Sequence, residues 1–175
     1  RRLIYAPAPD RTRPMKDRTR EAVFNLVGPS VKGKHAIDLF AGTGALGFEA
    51  LSRGAAKATF IEQHFPTAAV IRQNAAELGV GEVSRVDAAS AFIWAQEKAL
   101  DESLPWVVFC SPPYAFYVER REAMLSLVNG LLARAPAQSI FVVECDRRFD
   151  LSQLPEAQQW NVREYPPAVV AIFRK

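Results

Sequence analysis

At 175 residues the chain has the length of one ordinary domain, enough to bury a core without disulfides or metals. Its 49% hydrophobic and 23% charged residues exclude an intrinsically disordered chain, and no apolar run approaches the roughly 20 residues of a membrane-spanning helix, so a soluble protein with no membrane partner is expected. The net charge of +3 hides an asymmetry: residues 1–20 hold seven of the 22 basic side chains against only Asp10 and Asp17, and the other 155 residues carry a net charge of −2. Charge gathered at one end points to a polyanion contact, with a solvated basic tail as the bland alternative.

The opening residues are polar and basic with no apolar h-region, so no secretory signal is read and a cytoplasmic location is the default expectation. The chain begins at Arg1 rather than Met, which leaves room for an upstream segment. Its only candidate for an extended arm is the stretch around Pro7 and Pro9, giving an expected division into a basic arm over residues 1–16 and a single domain over residues 17–175. Residues 17–27 predict a helix with Ala22, Val23, Leu26 and Val27 on one face, stopped by Gly28 and Pro29. Strands and helices then alternate: a strand over 35–40, a helix over 45–52 closed by Gly54, a strand over 58–62, and a helix over 66–78 ended by Gly79. A short strand over 82–86 and a helix over 88–100 follow, then the strongly apolar strand 106–110, a helix over 120–133 and a buried strand over 139–144. Cys110 and Cys145 each sit inside an apolar run, which predicts core packing rather than a metal site or a disulfide. The last two runs, 160–165 and 169–173, are joined by Pro166-Pro167 too closely for a helical crossover and predict an antiparallel hairpin.

Five βα units closed by such a pair predict an α/β architecture: a doubly wound, seven-stranded, mostly parallel sheet with a C-terminal antiparallel hairpin. Ligands of such sheets bind beyond the carboxyl ends of the strands. Directly after the first strand comes Gly42-Thr43-Gly44-Ala45-Leu46-Gly47, and Glu62 ends the second strand 20 residues beyond Gly42. Glycine lets the backbone turn sharply and approach a ligand, while a carboxylate at the next strand end can accept both hydroxyls of a ribose. A dinucleotide-binding strand is normally apolar up to its first glycine, whereas this one carries Asp38, followed by Leu39, Phe40, Ala41 and Gly42. That pattern resembles the first motif of class I methyltransferases, in which the acid organises the loop around the methionine part of a cofactor that has no phosphate. Asp87, ending the third strand, is placed either to accept from an adenine amino group or to cap the helix that follows.

The fourth strand ends in Ser111, Pro112, Pro113 and Tyr114, where amino-methyltransferases carry an Asp/Asn/Ser-Pro-Pro-aromatic motif. An exocyclic amine on a base is a poor nucleophile because its lone pair is delocalised into the ring. Acceptors that draw its hydrogens favour a pyramidal nitrogen, and the first side chain and the Pro112 carbonyl can supply them. The prolines stiffen the loop and Tyr114 can stack on a base turned out of its helix.

Arg13-Pro14-Met15-Lys16-Asp17-Arg18-Thr19-Arg20-Glu21-Ala22-Val23-Phe24-Asn25 and the block from Asp38 to Gly54 together resemble the bacterial 16S ribosomal RNA guanine-N2 methyltransferase family over essentially the whole chain. The resemblance implies a Rossmann-like class I methyltransferase fold, S-adenosyl-L-methionine as cofactor, no metal, and a guanine of 16S rRNA as target within a small-subunit assembly particle. It implies a cofactor-binding set of Asp38, Phe40, Ala41, Gly42, Thr43, Gly44, Glu62, Gln63, Asp87 and Ala88, with Glu62 on the ribose and Asp87 on the adenine. It also implies that the arm before Asp17 contacts both cofactor and RNA, and with the charge asymmetry this makes Arg11, Arg13, Lys16 and Arg18 the RNA-binding candidates. Two positions depart from the family. Ser111 stands where Asp or Asn is usual, and Met15 and Lys16 replace threonines after Arg13-Pro14. Ser-Pro-Pro-Tyr also resembles the motif of cytosine-N4 methyltransferases, so cytosine N4 or adenine N6 in RNA or DNA stays open as the target. So does a non-catalytic RNA-binding or assembly role. A nicotinamide-dependent oxidoreductase accounts for the glycine loop and leaves Ser-Pro-Pro-Tyr unexplained.

Overall fold

The computed structural model describes residues 17–97 and 100–175. In chain order they form α1 (Asp17–Val27), β1 (His35–Asp38), α2 (Ala45–Ser52), β2 (Lys57–Ile61), α3 (Phe65–Leu78), β3 (Ser84–Asp87), α4 (Ala91–Trp94), β4 (Trp106–Cys110), α5 (Phe116–Glu119), α6 (Arg121–Arg134), β5 (Ile140–Cys145), β6 (Asn161–Tyr165) and β7 (Ala168–Arg174). All seven strands join one sheet in the order β3-β2-β1-β4-β5-β7-β6. The first five run parallel, and β7 pairs antiparallel with both β5 and β6. The expected α/β sheet with its C-terminal antiparallel hairpin is therefore present. The chain winds outward from β1 to β3 and then crosses back to lay β4 beside β1. The loops after these two central strands diverge there, opening a crevice at the switch point.

Burial on both faces explains why β4 is apolar at every position and why β1 and β5 are buried throughout. In β4, Trp106, Val108 and Cys110 face one layer with Met124, Leu127 and Leu131 of α6. Val107 and Phe109 face the other layer with Phe24 of α1 and Ile71 of α3. Each fully buried side chain of this kind contributes about 1.5–3 kcal/mol. Both cysteines are buried in this core, and burial pushes each thiol up to about 12. Among the described residues no helix is long and apolar enough to cross a membrane.

Three elements differ from the sequence expectation. Helix α1 buries Thr19, Val23, Phe24 and Val27, leaving Ala22 and Leu26 only partly covered. The Phe24 ring packs 5.5 Å from Phe109, and the larger aromatic surface rotates the helix away from the Ala22 face. The helix expected over 88–100 is α in Ala91–Trp94 alone. Beyond it the backbone bonds from Gln96 N–H to Ile93 O and from Glu97 N–H to Trp94 O tighten into a turn. The helix expected over 120–133 begins earlier and is broken at Arg120, whose guanidinium lies 5.2 Å from the Phe116 ring and 5.3 Å from the Phe92 ring.

Candidate active site

The turn after β1 is fixed by its own backbone. Leu39 N–H donates to Phe109 O and Ala41 N–H to Ile61 O, so the segment is tied to both neighbouring strands before it turns. Gly42 then adopts φ +53, and Gly44 N–H closes the turn on Ala41 O at 2.7 Å. The three glycines have different tasks. A Cβ on Gly42 would meet nothing within 4 Å, because that side opens into the cavity. A Cβ on Gly44 would sit 2.7 Å from the Phe48 ring, and one on Gly47 would sit 2.3 Å from the Phe60 ring. Gly44 and Gly47 thus let α2 lie against β2, and only Gly42 borders ligand space.

Two carboxylates organise this turn. Glu62, 8% exposed, accepts Gly42 N–H at 2.9 Å on one oxygen and His64 N–H at 2.8 Å on the other. Each oxygen keeps a lone pair for a ligand. Asp38, 1% exposed, accepts Gly47 N–H at 3.2 Å on Oδ2, and its Oδ1 has no partner. Burial, with a smaller contribution from the Glu62 charge, raises the Asp38 pKa to about 7 against the Gly47 hydrogen bond. A buried carboxylate oxygen without a donor is costly unless a ligand supplies one. The cationic ammonium of an amino acid group would satisfy it.

The glycine turn and the Ser-Pro-Pro-Tyr corner share one cavity of about 820 Å³. Asp38, Phe40, Ala41, Gly42 and Thr43 line one part of it with Glu62 and Gln63. Ser111, Pro112, Pro113 and Tyr114 line it as well, together with Glu144, Asp146, Arg148 and the hairpin residues Tyr165, Pro166 and Pro167. Phe40, Phe92 and Phe116 pack on one another with ring centroids 6.0–6.1 Å apart and give the cavity an apolar wall against which a planar ring can lie.

Glu144 has no counterpart in the sequence expectations. It lies in β5, is 5% exposed, and accepts hydrogen bonds from the Ser111 hydroxyl on one oxygen and from the Tyr114 hydroxyl on the other. Its own carbonyl accepts from Tyr117 OH at 2.9 Å. Burial, reinforced by the bond to Glu144, pushes the Tyr114 phenol well above its ordinary pKa, so Tyr114 remains a donor throughout the neutral range. The corner is therefore a three-residue assembly of Ser111, Tyr114 and Glu144.

Other expected residues are placed differently. Gly44, Asp87 and Ala88 do not line the cavity. The Asp87 carboxylate accepts from Trp94 Nε1 at 2.8 Å and Arg85 Nε at 2.9 Å, neither a helix cap nor an acceptor turned into the cavity. Ala89, Ser90, Ala91 and Phe92 take that wall instead. Arg18 reaches the cavity from α1, and Arg148 joins it. Arg11, Arg13 and Lys16 lie outside the described residues. Phe92, Phe116 and Glu144 were not found from sequence. The signal available for Glu144 was an acid inside an otherwise apolar strand, the same signal that singled out Asp38.

A central sheet of this order, with a glycine turn after β1, an acid after β2 and a proline corner after β4, defines the class I methyltransferase fold. The chain belongs to the family described as "Conserved hypothetical protein 95", whose model matches residues 1–174. It is 34% identical to "Ribosomal RNA small subunit methyltransferase D" of Escherichia coli (strain K12), over 96% of this chain and 81% of that protein. It is 31% identical to a Bacillus subtilis (strain 168) protein named as a candidate rRNA methyltransferase, over 99% of this chain and 94% of that one. Among solved structures, an Escherichia coli protein described as a candidate methyltransferase superposes with a TM-score of 0.76 at 28% identity, covering 95% of this chain and 90% of that one.

Proposed function

We propose that the protein is an S-adenosylmethionine-dependent rRNA methyltransferase that modifies the exocyclic N2 amine of a guanine in 16S rRNA, presented in an assembling small-subunit particle. In this reading residues 17–175 are the catalytic domain and residues 1–16 are a basic arm on the RNA. The observation that carries it is one cavity lined both by Asp38, whose buried Oδ1 has no partner, and by the Ser111 corner. The names of the relatives at 31% and 34% identity support the RNA substrate.

When bound, the cofactor supplies an electrophilic methyl group on a sulfonium. Asp38 would hold its ammonium, Glu62 its ribose hydroxyls, and the apolar wall of Phe40, Phe92 and Phe116 its adenine. Ser111 Oγ and the Pro112 carbonyl accept from the target amine and draw its lone pair out of conjugation. Tyr114 and the hairpin residues Tyr165, Pro166 and Pro167 close around the base and exclude water. Arg18, Arg148 and the arm cations Arg11, Arg13 and Lys16 hold phosphates and set affinity rather than base choice.

Incubation with methyl-labelled cofactor and undermethylated small-subunit RNA, free and in particles, followed by nucleoside separation, tests the reading. Label in N2-methylguanosine is expected. Label in N4-methylcytidine or N6-methyladenosine overturns the base assignment, and RNA binding without label overturns the enzymatic one.

A further inference from the structure

We infer that Glu144 is the proton acceptor of the methyl-transfer step, acting through the Ser111 hydroxyl. The inference rests on the amine-methyltransferase reading above and deepens it.

The geometry fixes the direction of the hydrogen bonds. Ser111 donates to Glu144, so the serine oxygen has its lone pairs left for a donor in the cavity, which is the role a target amine needs filled. Tyr114 holds the second carboxylate oxygen, so Glu144 cannot turn away from Ser111 without losing a charge-assisted bond. Glu144 itself is almost completely buried yet borders the cavity. A carboxylate in that position does not need to touch the base to receive its proton. A serine alone is a weak acceptor and has no charge to set against the positive charge that grows on the methylated nitrogen; the carboxylate behind it supplies that charge.

The step balances. The nitrogen–methyl bond forms as the sulfur–methyl bond of the donor breaks, and the amine proton passes to Ser111 Oγ while the serine proton passes to Glu144. The donor leaves as a neutral thioether, the base amine is neutral, and Glu144 is a neutral acid that later releases its proton to solvent. Glu144 is a positioning and proton-holding residue, and Ser111 is the group that touches the substrate. Nothing in this scheme requires a carboxylate at position 111, which accounts for a serine at the corner of an amine methyltransferase.

Glu144→Gln, Ser111→Asp/Glu144→Gln and the unaltered protein, compared in single-turnover methylation of undermethylated small-subunit RNA, test the relay. The glutamine is isosteric, but its amide would donate to Ser111 Oγ and fill the lone pair the amine requires. Glu144→Gln should lower the methylation rate on the order of a hundredfold. Its thermal stabilisation by S-adenosylhomocysteine and its RNA affinity should match the unaltered protein. The double variant should recover about tenfold or more over Glu144→Gln, because a carboxylate again stands beside the amine. A merely structural Glu144 would not be rescued by an aspartate at 111. Glu144→Gln at the unaltered rate, or a double variant no faster than Glu144→Gln, overturns the relay alone. Unaltered protein that methylates no base amine overturns the functional reading, and the relay with it.

Discussion

The two halves of the cavity are built by different means. On the glycine side, Asp38 accepts from the Gly47 N–H and Glu62 from the Gly42 and His64 N–H groups, all within or directly after one βαβ unit. On the target side, Ser111 and Tyr114 are held by a side chain 33 and 30 residues away, on the next strand. A site made from local backbone leaves a spacing that can be read, because turn chemistry dictates which residues stand where. A site made from side chains across a sheet leaves only residue types.

Different substitutions should accordingly fail in different ways. The largest effect is expected at Glu62. Glu62→Ala strips the acceptor from two backbone donors and from the ligand together, and should weaken S-adenosylhomocysteine binding on the order of a hundredfold, measured by calorimetry. A loss under a few fold would mean that the glycine side does not hold the ribose.

Next comes Gly47→Ala, whose Cβ would press on the Phe60 ring. It should cost about 1–3 kcal/mol of stability in a denaturant titration, with ligand affinity intact in the folded fraction. A bulky residue at Gly44 should likewise fail through Phe48 and its positive φ rather than by occupying ligand space.

A smaller effect is expected from pH. The Asp38 pKa is raised to about 7 in the folded protein from an ordinary 3.8. The sign is that of a proton bound more tightly by the folded state: its stabilising contribution is full below the ordinary value and is lost as pH rises through about 7. The thermal midpoint of the cofactor-free protein should therefore fall from acidic to mildly alkaline pH, and Asp38→Asn should flatten that dependence. An ammonium beside Oδ1 needs the carboxylate, so ligand affinity should drop by up to about tenfold per pH unit below the folded pKa. An affinity independent of pH would remove Asp38 from the ligand. The smallest effect belongs to Arg148 and Arg18 at the cavity. Neutralising either should lower the salt dependence of RNA binding by about one counterion and leave the methylated base unchanged.

The sheet was legible in the sequence because β4 is apolar at every position, β5 is apolar apart from Glu144, and α2 and α3 are closed by Gly54 and Gly79. Boundaries were lost where tertiary contacts overrule propensity. Phe24 turns α1 toward Phe109, and the stretch after Asp87 yields a single α-helical turn before its backbone tightens at Gln96 and Glu97. In the site, Asp38, Glu62 and Ser111 were legible from their strand ends. Asp87 was placed at the correct strand end, but its side chain is engaged by Trp94 and Arg85, partners that no spacing rule announces. Glu144 was hidden because its importance comes from Ser111 and Tyr114, which the sheet alone brings to it.

The central claim is that a ligand held on the glycine turn presents its reactive group to the proline corner across one cavity. A crystal structure with S-adenosylhomocysteine measures this directly. The account predicts the ammonium on Asp38 Oδ1, the ribose on Glu62, and the sulfur facing Ser111. A ligand whose sulfur points away from Ser111, or one seated outside this cavity, would contradict it.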